Sequence, residues 1–322
     1  MSELIQEPTR GFFSKIGMRG AGLSWWLFGT VCFAIFTLIK IPSFQFGGIV
    51  QGKIEEALAG AGIQMQSTSA EVIFFPTPQY ELRQVRVRMA GAGREGPITL
   101  NFDKIVLQPS FTSLLKGQPA AMIDLSRGKS RLLLTVGMND PKISIGIETS
   151  GFDFGETGLL EALAGIRGSV TLAGKAQIEL DPASLKTLAG QTDFKLTQIH
   201  IEEQNIRALF NFKVPDLSIS KAEIRTKAAG GRLTLERLEV GDPSNLTDDL
   251  TARVVGSFDL GATVNSTQQD IKVYFKPSEK VLTAYSIIKT FLAPGLQPDG
   301  SYAYELKGQV FMSTPMPLRP GS

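Results

Sequence analysis

The residue types that most often carry catalysis or bind metals are scarce in this chain. Its 322 residues include one histidine, His200, and one cysteine, Cys32. Structural zinc sites need several histidine or cysteine ligands, and a catalytic triad needs a histidine beside its nucleophile. His200 lies between Ile199 and Ile201, on the polar face of a predicted strand, where we expect a solvent-facing side chain. The composition nearly excludes histidine- and cysteine-based sites, whereas sites built from carboxylates alone remain open.

Two serine–lysine pairs with the spacing Ser-x-x-Lys match a motif of some acyl-enzymes. They are Ser113 with Lys116 and Ser126 with Lys129. That chemistry also needs partner motifs such as Ser-Asp-Asn and Lys-Thr-Gly, and the sequence contains neither. For a hydrolase of this kind, the sequence therefore lacks a nucleophile–base pair. We predict no catalytic residues, no metal and no cofactor, and we predict that the protein is not an enzyme.

The segment from Gly91 to Gly96 matches the dinucleotide-binding pattern Gly-x-Gly-x-x-Gly and follows a predicted strand. The pattern binds a pyrophosphate only when the N-terminus of a helix comes next. Here the segment from Pro97 to Phe102 follows, with the alternation of another strand. We therefore interpret the glycine-rich segment as a hairpin loop.

Arg83, Arg86 and Arg88 form a basic cluster, and the last two share one face of a predicted strand. The formal net charge of the whole chain is +2, so no strong field favours nucleic acid as a partner. A solvated strand face is the first interpretation of the cluster. Contact with anionic lipid headgroups or with an acidic partner is the alternative.

An uncharged apolar run from Ala21 to Ile39 has the composition of a membrane-spanning segment, which would fix the side of the membrane on which the rest of the chain lies. As a helix it would be about 28 Å long, close to the thickness of the hydrocarbon core of a bilayer. A cleaved signal peptide would need a shorter apolar core and a small-x-small cleavage site, and a buried helix of a soluble protein would have a polar face. We therefore predict an uncleaved transmembrane helix. Its predicted anchoring side chains are Trp25, Trp26, Phe28, Phe33 and Phe36.

The charges beside this run predict its orientation. Arg10, Lys15 and Arg19 precede it, and Lys40 alone follows closely, which favours a cytoplasmic N-terminus. We predict a cytoplasmic tail at 1–20, a transmembrane helix at 21–40 and an exported body at 41–322. Cys32 lies inside the run, so the body has no disulfide and depends on burial and strand pairing.

The body is dominated by alternation of apolar and polar residues, which predicts strands with one apolar face. The clearest examples lie at 85–89, 98–102, 132–136, 143–147, 170–172, 178–180, 194–196, 217–219, 233–235, 271–275 and 302–306. Glycine and proline separate them at hairpin spacing, which favours antiparallel neighbours. We predict a mainly β fold, with one large, curved antiparallel sheet; a division into two lobes near 150–165 is the alternative.

Few helices are predicted in the body. They lie at 51–60, 110–116, 156–164 and 278–292, with a further helical turn at Asp181-Pro182. A large sheet with one apolar face and few helices must either curl on itself or leave part of that face open. An open apolar face would bind lipid, another protein or a membrane.

Several segments, in their order along the chain, resemble the type II secretion system protein N family, whose architecture is related to the AsmA-like envelope proteins. Each segment alone is apolar alternation with glycine, and their order and spacing carry the resemblance. The segments are the apolar run, 51–60, 69–76, 82–87, 102–107, 113–119, 231–238, 256–260, 302–308 and 314–317.

The resemblance implies a bacterial inner-membrane anchor, a periplasmic β-rich body and an accessory role in type II secretion. The implied partners are inner-membrane lipid and other secretion components. The AsmA-like relationship implies an alternative function, in which an apolar groove binds or transfers phospholipid. The family has no catalytic residues that could be matched to this sequence.

Overall fold

The protein is described by a computed structural model. The described residues are 48, 51–52, 55–56, 58–60, 62–74, 77–90, 97–206 and 212–319. The apolar run with its five anchoring side chains and the glycine-rich segment at 91–96 lie outside these residues. Within the described part of the chain, no helix is both long enough and apolar enough to cross a membrane.

Strands make up most of the described chain, as the alternation predicts. Their bounds are β1 Gln64–Gln66, β2 Ser69–Ile73, β3 Gln79–Ala90, β4 Pro97–Pro109, β5 Ala120–Arg127, β6 Ser130–Asn139, β7 Lys142–Asp153, β8 Gly168–Asp181, β9 Ser184–Ile201, β10 Gln204–Ile206, β11 Phe212–Val214, β12 Leu217–Ala229, β13 Arg232–Val240, β14 Leu250–Asp259, β15 Gln268–Pro277, β16 Tyr302–Gln309 and β17 Met316–Pro317. The prediction of a mainly β fold is confirmed.

One 15-stranded sheet contains all of these strands except β10 and β11, which form a separate pair. Its order is β1-β3-β4-β5-β6-β7-β8-β9-β12-β13-β14-β15-β16-β17, and β2 also pairs with β3. Every pairing is antiparallel, which confirms the predicted sheet type. Near 150–165, β7 is bulged after Ser150, and its pairing with β8 continues to Asp153 opposite Thr171.

The helices are short. They are α1 Phe111–Leu115, α2 Phe154–Thr157, α3 Leu159–Ala164, α4 Glu279–Ala284 and α5 Ser286–Leu292. The described positions between 51 and 60 are also helical, and Gly62 follows them with a φ of 73°. The helices predicted at 51–60 and 110–116 are therefore confirmed.

Two helix predictions need correction where the backbone leaves the helical region. The stretch predicted at 156–164 begins earlier and is divided at Gly158, whose φ of 78° is left-handed. The stretch predicted at 278–292 is divided at Tyr285, with φ −125° and ψ 54°. The predicted cap at Ser278 is confirmed, because its side chain accepts a hydrogen bond from the backbone N–H of Val281.

The helical turn predicted at Asp181-Pro182 is wrong. These residues form the hairpin turn between β8 and β9, and Asp181 pairs with Ser184 across it. A side-chain oxygen of Asp181 accepts the N–H of Ala183 at 2.9 Å. An aspartate that bonds the backbone two residues later stabilises a tight turn, so here the same residue types end a strand instead of beginning a helix.

The antiparallel order places successive turns at two opposite ends of the sheet. One end, here called the hairpin rim, carries the described part of the connection between β2 and β3 and the turns at 110–119, 140–141, 182–183, 230–231, 260–267 and 310–313. The opposite end carries α2 to α5 and the loop at 241–249. The strands therefore run between two differently built ends.

Candidate apolar binding face

Apolar residues lie opposite one another across the whole sheet. One unbroken row of paired positions crosses twelve strands, from β3 to β16. It consists of Tyr80, Leu107, Ile123, Leu134, Ile147, Ala176, Thr192, Thr226, Leu235, Gly256, Ile271 and Leu306. Apart from Tyr80, the side chains in this row that carry a polar group are Thr192 and Thr226, which hydrogen-bond each other at 2.9 Å. We call this side of the sheet the apolar face.

Neighbouring rows have the same character. One of them contains Leu82, Ile105, Leu125, Leu132, Thr149, Gly174, Phe194, Ile224 and Leu238. A second contains Phe152, Leu172, Leu196, Ala222, Val240, Ala252, Phe275 and Tyr302. Side chains on one face of a sheet repeat every second residue, so a shared register makes these rows one surface.

The first part of the apolar face forms a buried core. Leu82 and Val85 are only 1 % exposed, and Phe152 is fully buried. Leu58 and Leu159 pack on this cluster from the helical segments. The N-terminal strands therefore have the covering layer that a one-faced sheet needs.

Later strands have much less cover. The described helices lie mainly against β4, β8 and β15. Phe194, Leu196, Ile224 and Leu235, in β9, β12 and β13, are only half-buried. On β6, Met138 remains 55 % exposed. A half-exposed apolar surface of this kind can bind an apolar ligand or partner.

The other face of the sheet carries charge. In β9 and β12, Asp193 and Arg225 pair at 3.0 Å. In β12 and β13, Glu223 and Arg237 pair at 2.7 Å. These ion pairs are solvent-exposed and contribute little stability, but they define which side faces water. The two faces therefore differ sharply in polarity.

A cleft of about 840 Å³ opens where the apolar face meets the loop at 241–249. Val240, Ala252 and Phe275 line it, together with polar residues of the loop. The Asp249 carboxylate links the elements around the cleft. It accepts hydrogen bonds from the backbone N–H of Ser218 at 2.9 Å, from the Ser278 hydroxyl at 3.1 Å and from the Lys280 ammonium group at 2.9 Å. Burial alone raises the pKa of Asp249, but these bonds outweigh it and the pKa lies below its usual value.

The three arginines of the basic cluster share one face, which sequence alternation alone did not predict. Gln84, with a φ of 50°, lies between paired positions whose register does not shift: Arg83 pairs with Lys104 and Arg86 with Asn101. Leu82 and Val85, three residues apart, both belong to the buried core, so the buried side of β3 changes from even to odd positions between them. Arg83 therefore lies on the same side as Arg86 and Arg88. A reversal of this kind leaves no clear signal in an alternating sequence.

The members of the basic cluster differ in their contacts. Arg83 contacts the Glu81 carboxylate at 2.7 Å, and Lys104 contacts it at 2.6 Å. Arg86 and Arg88 are exposed beside β1 and form no ion pair with any described residue. Among the described residues of the cluster, these two guanidinium groups are therefore open to an anionic headgroup or an acidic partner, and that contact remains a prediction.

The serine and histidine candidates have ordinary structural surroundings. Ser113 accepts a bond from Ser110 at 2.8 Å, and Ser126 lies 3.4 Å from the carbonyl oxygen of Lys104. His200 lies on the polar face, opposite Ser218 in β12. The described residues contain no group of three or more potential metal ligands.

One constellation was missed in the sequence because its members come from two strands and a loop. The Nδ1 atom of His200 lies 3.5 Å from the Ser218 hydroxyl, and Nε2 lies 3.5 Å from Asp216. Both separations are at the limit for a hydrogen bond, and both His200 and Asp216 are about half exposed. The arrangement fits a surface cross-strand pair better than an activated nucleophile, which needs a tight base contact.

Among the described residues, the apolar face is the one extended surface that could bind a ligand or partner, and the polar contacts are local. Comparison with protein-family models, with curated proteins and with solved structures finds no match to the chain.

Proposed function

We propose that the protein is a non-enzymatic component of the bacterial type II secretion system. In this proposal the run at 21–40 anchors it in the inner membrane and the body lies in the periplasm. The single observation that carries the proposal is the apolar face, which extends over twelve strands and which the described residues cover only in part. Such a surface suits a scaffold that binds other components instead of transforming a substrate. The link to secretion comes from the sequence resemblance described above.

Affinity purification of the full chain from a cross-linked, detergent-solubilised envelope tests this function. We expect other inner-membrane secretion components among the captured proteins. A variant with a charge on the apolar face, Leu235→Glu, should capture fewer of them than Glu236→Gln, its polar-face neighbour in β13. Capture without any secretion component, from a strain that expresses the system, would refute the proposal.

A second candidate function is binding of phospholipid on an AsmA-like curved sheet. The unbroken apolar row favours it, because strands about 4.8 Å apart give the row a length of about 50 Å along the sheet. An acyl chain spans half of a hydrocarbon core, about 15 Å, so several chains could lie along the row. Glycines with left-handed φ in adjacent strands, Gly174 and Gly190, support curvature.

Native mass spectrometry of the full chain released from detergent tests lipid binding. We expect phospholipid adducts in the wild type and at least a tenfold loss in Ile178→Glu, which places a charge on the apolar face. Gln177→Glu is the matched control, because the neighbouring side chain is on the other face of β8 and should leave the adducts unchanged. A clean apo mass for the wild type, or equal adducts in both variants, would remove this candidate.

A further inference from the structure

Large apolar side chains are exposed in or beside the turns of the hairpin rim. They are Phe74, Leu115, Met138, Val264, Phe311 and Met312. Leu115 is 90 % exposed, and Phe311 and Met312 are 74 % and 80 % exposed. These residues lie far apart in sequence, and the antiparallel order of the strands brings them to one end of the sheet. The opposite end also exposes apolar residues, among them Leu246, so exposure alone does not distinguish the two ends.

The direction of the helical segment at 48–60 distinguishes the two ends of the sheet. Tyr80 lies near the start of β3, at the rim. Burial and, secondarily, the negative charge of Glu55 raise the pKa of Tyr80 to about 12. The Glu55 carboxylate in the helical segment is therefore close to the rim. The strand that follows the helical segment, β1, begins with Gln64 opposite Arg88, near the other end of β3. From these two ends we infer that the helical segment runs away from the rim, with its first residues on the rim side.

The distance from the anchor to the body is short. The apolar run ends at Ile39 and the described chain begins at Gly48. Nine residue steps reach at most about 30 Å. The opposite end of the sheet lies roughly 40 Å from the rim, because β3 has 12 residues. If the run spans a membrane, the rim is the end of the body nearest to it.

We propose that the hairpin rim rests on the surface of the bilayer that contains the anchor, with its exposed apolar side chains at the boundary between headgroups and acyl chains. The proposal depends on the anchor of the proposed function. Apolar side chains from several turns can each add to such interfacial binding. Met138 and Val136, both exposed, belong to the apolar face as well as to the rim side of β6. The rim therefore also gives acyl chains an apolar route from the bilayer to the apolar face.

Site-specific fluorescence of the full chain in vesicles tests the position of the rim. The native cysteine is removed by Cys32→Ser, and single cysteines are introduced by Leu115→Cys or Met312→Cys and labelled with an environment-sensitive probe. Leu246→Cys is the matched control, because Leu246 is 98 % exposed at the opposite end. The vesicles contain phosphatidylethanolamine and phosphatidylglycerol, with a fraction brominated near the headgroup. We expect quenching at the two rim sites to exceed that at the control at least about threefold, since interfacial groups insert only some 5–10 Å.

The outcomes separate the rim from the anchor. Flotation of the labelled protein with the vesicles, measured on the same samples, reports the anchor alone. Flotation with no quenching at the rim sites, or with equal quenching at all three sites, overturns the rim proposal and leaves the anchor intact. Protein that does not float refutes the anchor and the rim proposal with it. Rim probes that are shielded only after addition of envelope proteins would assign the rim to a protein partner and overturn a bilayer contact.

Discussion

At the scale of single residues, the most unusual group is the Glu81 carboxylate. It is 3 % exposed although it lies on the polar side of β3, and Lys104 and Arg83 both contact it. Burial alone raises the pKa of Glu81, but the hydrogen bonds and charges of Lys104 and Arg83 outweigh burial, so the pKa lies below its ordinary value. The sequence shows Arg83 as a member of a basic cluster, but alternation identifies neither its face nor Glu81 as its partner.

Replacing this carboxylate should cost stability in a pH-dependent way. We expect Glu81→Gln to lower the free energy of unfolding by about 1–3 kcal/mol at pH 7, because a buried charged contact is lost. A lowered native pKa stabilises the fold above the pKa of the unfolded chain, about 4.3, and that stability disappears as the pH falls through the native value. The difference between wild type and variant should therefore shrink below about pH 4. Urea unfolding of the full chain in detergent, followed by circular dichroism, measures it.

The matched control is Glu179→Gln. Glu179 pairs with Lys142 at 2.8 Å, but both side chains are about half exposed, so the expected cost is below about 1 kcal/mol. Equal costs for the two variants, or a Glu81 effect that stays constant down to pH 2, would contradict the role given to Glu81.

At the scale of elements, β8 and β9 approach so closely that they need glycine. A Cβ atom on Gly190 would lie 2.0 Å from the carbonyl oxygen of Gln177, and the φ of Gly190 is 136°. Gly174, in β8, is in the same situation against Asp193. Alternation predicts that these positions face the apolar side, but only the register of the pair shows what a side chain would meet.

We therefore expect Gly190→Ala to destabilise the protein by about 2 kcal/mol or more, from backbone strain and overpacking together. Gly146→Ala is the control, since its nearest neighbour would be the Thr135 side chain at 3.4 Å, and it should cost less than about 1 kcal/mol. The midpoints of urea unfolding, with slopes compared, report both effects. A neutral Gly190→Ala would show that the close approach of β8 and β9 is wrong.

The breaks in the helices also belong to this scale. The periodicity of 278–292 is correct for a helix, and Ser278 caps it as expected, yet the chain turns at Tyr285. The Tyr285 hydroxyl donates a hydrogen bond to the backbone carbonyl of Lys213 at 2.6 Å. A contact with a residue so distant in sequence leaves no trace in local periodicity, so one helix was the natural prediction from the sequence.

At the scale of the whole molecule, the sheet has strongly paired inner strands and short outer strands. β8, β9 and β12 have neighbours on both sides, whereas β1, β2 and β17 have 3, 5 and 2 residues and lie at the margins. Backbone groups at an edge lack partners on one side. Edge strands and inner strands should therefore differ in their rate of local opening.

Amide hydrogen exchange of the full chain in detergent should show this pattern. We expect the slowest exchange in β8, β9 and β12 and the fastest in β17, because exchange follows the free energy of local opening. Exchange in β9 as fast as in β17 would refute a continuous sheet. The same data decide the two-lobe alternative, which requires residues before 150 and residues after 165 to open as separate units.

Local sequence patterns are enough to predict the class of the fold, the polarity of most strand faces and most of the short helices. These follow from local periodicity, because alternating side chains must point to opposite sides of a strand. Contacts between distant segments are needed to know which apolar residues form one continuous face, where the face of β3 reverses beside Gln84, where Tyr285 divides a helix and which turns share the hairpin rim. Register and close approach depend on hydrogen bonds between strands, and neither is encoded within a single strand.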